Sequence, residues 1–247
     1  MDLKRLAKSV ARKFRQYVGR LTVADRYLRG EGLEIGALQD PLAVPRGVTV
    51  RYVDIAETAA LRALYADKSH RHLVEVDIVD DGERLTTVGD GSQDFAIANH
   101  FLEHCEDPIG ALRNLLRVVR PDGVVYLSVP DKRFTFDRPR PVTTLAHVLH
   151  DHEAGPEGSR AAHYDEVVRL TMGLDDEGAI ATKVQELRAQ EFRIHFHCWT
   201  QLEFLELLVT LQRRPGYPAF AVEHFTRNEC ELVVVLRRAA APAGGPA

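Results

Sequence analysis

The sequence predicts an α/β protein built on an open, mostly parallel sheet, and three observations carry that reading. From residue 33 onward, short apolar runs alternate with segments of helical spacing. Acidic or amide residues recur where those runs end, at Glu34, Asp54, Asp77 and Asn99. A late apolar helix is followed by two adjacent strand-like runs, as in a sheet closed by an antiparallel hairpin.

Each element has its own signal. Residues 3–18 have amphipathic helical spacing, with Leu3, Leu6, Val10, Phe14 and Val18 on the expected inner face. The competing reading lays this basic helix on an anionic membrane surface. Residues 32–36 (GLEIG) read as a buried strand ending in a glycine turn, and 48–55 as a second strand ending at Asp54. A helix is expected over 57–66, a third strand over 72–78 and a fourth over 94–99. Asp107-Pro108 is a strong helix start, because Asp caps free N–H groups and Pro suits the first helical position. Pro121-Asp122-Gly123 ends that helix in a turn, and 124–129 (VVYLSV) is apolar throughout, as a strand covered on both faces requires. Five βα units of this kind imply right-handed parallel crossovers.

Residues 131–197 break the rhythm with helical pieces near 141–150, 163–171 and 181–191, and read as an insertion. Thr200-Gln201-Leu202-Glu203 is a capping box ahead of an apolar helix. Residues 218–225 and 229–236 form the expected hairpin. The chain thus divides into a basic helical segment (1–30), one α/β domain (31–238) with a lid over about 131–197, and a disordered tail (239–247).

Composition narrows the function. The 247 residues carry a net charge of −4, yet residues 1–30 hold nine Lys or Arg against Asp2 and Asp25. A basic end on an acidic body is not the footprint of a nucleic-acid binder, so no nucleic-acid partner is expected. No run is long and apolar enough for a transmembrane segment, and the N-terminus lacks the apolar stretch of a secretory signal. Three scattered cysteines suit neither a disulfide framework nor a four-thiolate zinc site, and point to a reducing, cytoplasmic setting.

In parallel α/β sheets, ligands bind beyond the carboxyl ends of the strands. The residues there are Glu34, Gly36 and Ala37, then Asp54 and Ile55, then Asp77 and Ile78, then Asn99 and His100. No Lys or Arg stands in the first glycine turn, which argues against a phosphate cradle. Acceptors at strand ends suit a ligand with hydroxyls, an amine and a positive charge.

The ordered set Glu34-x-Gly36, Asp54, Asp77-Ile78, Asn99-His100-x-x-Glu103-His104-x-x-Asp107-Pro108 and Arg120-Pro121-Asp122-Gly123 resembles the class I S-adenosylmethionine-dependent methyltransferases. The resemblance covers about residues 30–135, and more loosely 199–237. It implies a Rossmann-like, seven-stranded, mostly parallel sheet with a C-terminal antiparallel hairpin and a helical lid after strand five. It further implies S-adenosylmethionine as cofactor, held by Glu34, Gly36, Ala37, Asp54, Ile55, Asp77, Ile78, Asn99 and His100. The sequence departs from the family's E-x-G-x-G-x-G loop, since only the first glycine is kept in Glu34-Ile35-Gly36-Ala37-Leu38-Gln39-Asp40. A differently shaped loop is expected there.

The lid decides the acceptor. Its Asp, Arg and His residues are expected to face a wet cleft suited to a sugar or polyol. Pro130-Asp131-Lys132-Arg133-Phe134-Thr135-Phe136-Asp137 and the His-rich stretch after it are similar to methyltransferases of bacterial polysaccharide pathways, such as those making mycobacterial methylated mannans. The expected reaction is O-methylation of a sugar or similar polar natural product, whether a small molecule or an oligosaccharide. His152 or His104 is the candidate base, with Asp131 orienting the acceptor or a metal. His147 with His150, or His195 with His197, are pairs able to hold a metal, against the plainer reading of polar lid residues without one. If a metal binds, Mg²⁺ shared by an Asp and substrate hydroxyls is favoured over structural zinc. Two alternatives stay open: N- or C-methylation of a small metabolite, and a non-catalytic sensing or scaffold protein. The basic N-terminal helix is free to cover the cofactor, dock a second copy in a homodimer, or touch a membrane.

Overall fold

The computed structural model describes residues 3–65 and 72–240, with side chains from Val10 onward. The part of the predicted tail from 241 lies outside the described residues. The chain runs α1 (Leu3–Tyr27), β1 (Glu31–Ile35), β2 (Thr49–Asp54), α2 (Thr58–Leu64), β3 (Ile78–Val79), β4 (Gln93–Asn99), α3 (Pro108–Val118) and β5 (Val119–Pro130). The lid contributes α4 (Leu145–Ala154), α5 (Arg160–Glu166) and α6 (Glu177–Ala189), and the chain closes with α7 (Gln201–Arg213), β6 (Phe220–Asn228) and β7 (Glu231–Arg238).

The seven strands form one sheet in the order β3-β2-β1-β4-β5-β7-β6. The first five are parallel, while β7 is antiparallel to both β5 and β6. Alternate residues of the central strands divide between two cores, as the strand period of two requires. Ala96, Ala98, Val125, Leu127, Leu232 and Val234 face α3 and α7, packing with Leu112, Leu115, Phe204 and Leu208. Phe95, Ile97, Tyr126, Val233 and Val235 face the opposite side, where Val23 and Ala24 of α1 and Leu28 just after it cover them. Asp107 caps α3 by accepting the Gly110 N–H, and Thr200 and Glu203 form the predicted capping box on α7.

The structure corrects four expectations. First, only two of the four crossovers between parallel strands carry a helix, α2 and α3. Residues 37–48 hold Pro41 and Pro45, which lack the N–H that a helix needs, and 80–92 are rich in Gly, Asp and Thr. The C-terminal half of α1 covers the sheet face that a helix after β1 would otherwise protect.

Second, the predicted strand over 72–78 is reduced to Ile78–Val79. Residues 72–76 lie outside the ladder, so Asp77 precedes β3 rather than following it. Third, α1 is buried only toward its C-terminal end: Val10, Phe14 and Val18 of the expected inner face are exposed, while Val23 and Ala24, and Leu28 just past the helix, are buried. The side chains of Leu3 and Leu6 lie outside the described residues. Fourth, many polar lid residues are paired inside the protein instead of facing a wet cleft. Arg140 is 2% exposed and binds Asp137, Glu166 and the carbonyls of His195 and Phe196. The lid has its own small core of Tyr164, Val168, Ile180, Leu187 and Phe196. No described helix is long and apolar enough to cross a membrane.

Candidate active site

A cleft of about 690 Å³ opens beyond the carboxyl ends of β1 and β4, bounded by Gly36, Ala37, Leu38, Asn99 and His100 on one side and by α1 on the other. From α1 come Lys13, Gln16, Tyr17, Arg20 and Leu21. These helix residues were not among the predicted site residues. Their sequence signal, a basic amphipathic helix, is equally compatible with a membrane surface or a second copy.

Glu34 is 1% exposed and folds the loop after β1 back on itself by accepting the Leu42 N–H at 2.9 and 3.0 Å and the Asn99 Nδ2 at 3.3 Å. Burial raises its pKa to about 7, against the pull of those hydrogen bonds and of Arg20. Gly36 turns the chain at φ +62°, and no heavy atom lies within 4 Å of where its Cβ would stand. Leu38, at the position of the family's second glycine, also takes a left-handed conformation at φ +49°. The loop therefore keeps a left-handed turn with one glycine. Gly36→Ala is expected to cost about 1–2 kcal/mol through backbone strain alone, since the space for a methyl is open. Chemical denaturation checks this, and an unchanged midpoint would refute the strain.

Asp54 ends β2. Its carboxylate accepts the Ile55 N–H at 2.8 Å and lines a small cavity with Ala37, Leu38, Tyr52 and Leu61. Burial raises its pKa, opposed by the Ile55 hydrogen bond. Ile55 itself is 60% exposed beside it. Asp77 spends one carboxylate oxygen on the Tyr52 N–H at 2.8 Å, while Ile78 packs at the edge of the larger core. Just beyond β3, Asp80 is buried and tied to Thr86, Thr87 and the Asp81 N–H.

At the end of β4, the Asn99 Oδ1 is buried with no hydrogen-bond partner. His100 adopts φ +50° and lies 2.8 Å from Glu231 and 3.3 Å from Glu103. Burial opposes its charge, but the two carboxylates win and raise its pKa to about 9, which favours the imidazolium form. Burial likewise opposes ionisation of Glu231, yet His100 and Arg20 hold its pKa at about 2. Arg20 grips Glu231 with both Nε and Nη2, and Asn228 donates to the Gln16 carbonyl. These contacts fasten α1 to the β6–β7 turn and over the cleft.

The three candidate catalytic residues stand in different settings. Asp131 is fully buried and accepts the Arg133 guanidinium at 2.6 and 2.9 Å. His152 Nδ1 lies 2.9 Å from the Asp107 carboxylate that caps α3. His104 Nδ1 lies 2.8 Å from the Ile194 carbonyl, which can only accept, so that nitrogen carries the proton and Nε2 the lone pair. His104 belongs to a cluster with Glu103 and His195, whose ligand atoms lie within 4.8 Å of one another. His195 Nδ1 is oriented by Asp137 at 2.7 Å, and buried Glu103, whose oxygens make no well-formed hydrogen bond, has the His100 ring at 3.3 Å as its ion-pair partner. Burial lowers the pKa of His104, and the Glu103 charge opposes that drop.

A family model described as a methyltransferase domain matches residues 6–209. No curated protein is similar enough to match. Among solved structures, a Rhodobacter sphaeroides protein described as a zinc-dependent alcohol dehydrogenase superposes with a TM-score of 0.50 at 16% identity, over 87% of this chain and 86% of that one. One from Bacillus halodurans, described as a methyltransferase, gives 0.49 at 11% identity over 91% and 99%. One from Thermotoga maritima, described as a SAM-dependent methyltransferase, gives 0.49 at 16% identity over 96% of each chain. At such identities the likeness concerns fold alone. The match to the family model spans most of the sequence, and the chain belongs to the methyltransferase-domain family.

Proposed function

We propose that the protein transfers a methyl group from S-adenosylmethionine to a hydroxyl of a sugar or similarly polar acceptor, with His104 as the base. The observation that carries this reading is the Glu103–His104–His195 cluster beside the end of β4. The residues present fit the cofactor. Asp54 has carboxylate capacity for ribose hydroxyls, the unpartnered Asn99 Oδ1 offers a buried acceptor, and the open space at Gly36 admits a close approach. When bound, S-adenosylmethionine supplies a methyl already activated on a sulfonium.

The chain's own part is alignment, exclusion of water and proton removal. A hydroxyl is a weak nucleophile and gains from a base, whereas many nitrogen acceptors need none. His104 Nε2 is the proton acceptor. Its other nitrogen is fixed by a backbone carbonyl, and the Glu103 carboxylate stabilises the imidazolium that forms. The cluster also holds a carboxylate and two imidazoles that suit a divalent ion. Mg²⁺ finds less support at Asp131, whose oxygens are engaged by Arg133.

His104→Gln is expected to lower kcat by about 10²–10⁴-fold while changing S-adenosylhomocysteine affinity little. His152→Ala is expected to keep turnover, because His152 is committed to Asp107. Because burial lowers the His104 pKa, its neutral, basic form persists below the ordinary value of 6.5. The acid limb of the kcat profile should therefore fall below pH 6.5, and Glu103→Gln should move it lower still. Methyl transfer from labelled S-adenosylmethionine to a panel of sugars and amines reads all of this out. Transfer to amines alone, or turnover retained in His104→Gln, would reject the reading.

A further inference from the structure

Away from the side chains that line the cofactor cleft, three segments of the lid bring their imidazoles together. His147 and Asp151 lie one turn apart on α4, His163 lies on α5, and His197 lies on the stretch between α6 and α7. His147 Nε2 and His163 Nε2 are 3.1 Å apart. Asp151 Oδ2 stands 3.2 Å from the first and 3.8 Å from the second. One nitrogen of each of the three imidazoles lies within 4.8 Å of the others. Ligand atoms around a tetrahedral ion with bonds of about 2.0–2.1 Å are themselves separated by about 3.4 Å, so these spacings are those of a ligand set.

Two buried atoms in this group have no partner. His197 is fully buried, and its Nε2 lies 3.3 Å from the Glu106 carbonyl. That nitrogen must be the donor, which leaves Nδ1 with a lone pair, and Nδ1 meets no hydrogen-bond partner. Asp151 is 1% exposed, and its Oδ1 is likewise unpartnered, while Ser159 Oγ donates to Oδ2 at 2.8 Å. Buried orphans of this kind are costly, and a cation held by the three imidazoles would engage the free lone pair of His197 Nδ1. The Glu106 carbonyl behind His197, and Asp151 with the Ser159 hydroxyl behind it, are the outer partners that hold metal ligands in orientation.

We propose that His147, His163 and His197 form a site for a first-row transition ion of the zinc class, with Asp151 orienting His147 and His163, which ties three segments of the lid together. Three imidazoles favour such an ion over Mg²⁺, which prefers oxygen donors. The ion can enter through a neighbouring cavity of about 230 Å³ whose wall includes His147, His163, Thr143 and Ser159. The pairs that adjacency in sequence suggests are both split in this arrangement. His150 is exposed, and His195 turns to Asp137. Folding of the lid selects one member of each pair and adds His163.

The test uses the full chain, stripped with chelator, reloaded with Zn²⁺ and dialysed. Metal analysis should find one equivalent bound, with a thermal midpoint several degrees above that of the stripped protein. His163→Ala and His147→Ala should lose that equivalent and the shift, whereas His150→Ala should keep both. Co²⁺ titrated into the stripped wild type should give the intense visible absorption of a four-coordinate ion, a readout that needs no variant to fold. Absence of stoichiometric metal, or a weak six-coordinate cobalt spectrum, would overturn the proposal. So would an equivalent that survives His163→Ala but is lost in His195→Ala, since the ion would then belong to the Glu103–His104–His195 cluster.

Discussion

Replacing Asp54 with Ala should weaken binding of S-adenosylhomocysteine by about 100-fold or more and leave thermal unfolding almost unchanged. The expectation follows from what the carboxylate touches. Its hydrogen bond is to the adjoining Ile55 N–H, and it lines the cavity at the end of β2. Little folding energy rests on it. Hydrogen bonds to a charged acceptor are worth about 1.5–3 kcal/mol each, and two ribose hydroxyls would supply two of them. A loss of about 1.4 kcal/mol is tenfold in affinity, so losing the pair exceeds two decades. Calorimetric titration decides it. Unchanged affinity would remove Asp54 from the cofactor site, and a large drop in melting temperature would recast it as a structural residue.

The second large effect is expected at Arg20. Arg20→Met keeps the aliphatic bulk and removes the charge that meets Glu231, whose side chain is fully buried. Breaking a buried pair by deleting one partner costs about 3–5 kcal/mol. The remaining contacts of Glu231 with His100 and Asn228 place the expected loss toward the lower end. For a chain of this size that corresponds to a melting temperature lower by about 10 °C. Cofactor affinity should fall as well, because Arg20 and its helix neighbours wall the cleft. Arg20→Lys should rescue only part of either effect, since an ammonium cannot reproduce the two-pronged contact. Full stability with reduced affinity would separate the helix's two roles. Full stability with full affinity would show that α1 is not part of the site.

What the sequence discloses here depends on the range of the interactions involved. Local signals carried through: Asp107-Pro108 starts α3, Thr200 and Glu203 cap α7, and apolar runs mark the central strands. Each depends on residues a few positions apart, where propensity and hydrogen bonding act directly. The missing helix after β1 was also written locally, in Pro41 and Pro45, but the expectation of a regular βα rhythm masked it. Long-range pairing was not readable. Nothing near Arg20 announces Glu231, which is 211 positions away, and nothing near His104 announces Ile194 or His195. The polar lid misled for the same reason. A stretch rich in Arg, Asp and His reads as solvated, yet Arg140 finds Asp137, Glu166 and two carbonyls and is buried with them. Of the residues expected to hold the cofactor, Glu34, Gly36, Ala37, Asn99 and His100 line the larger cleft, Asp54 lines a separate small cavity at the end of β2, and α1 supplies a wall that no motif marks.

The cleft beyond β1 and β4 is proposed to bind S-adenosylmethionine and its product. Isothermal titration of the full chain with S-adenosylhomocysteine, with NAD as the control, tests it most directly. One site of roughly micromolar affinity for S-adenosylhomocysteine is expected, with no heat from NAD beyond dilution. Absence of S-adenosylhomocysteine binding, or equal binding of NAD, would contradict it and turn attention to a sensing or scaffold role for the fold.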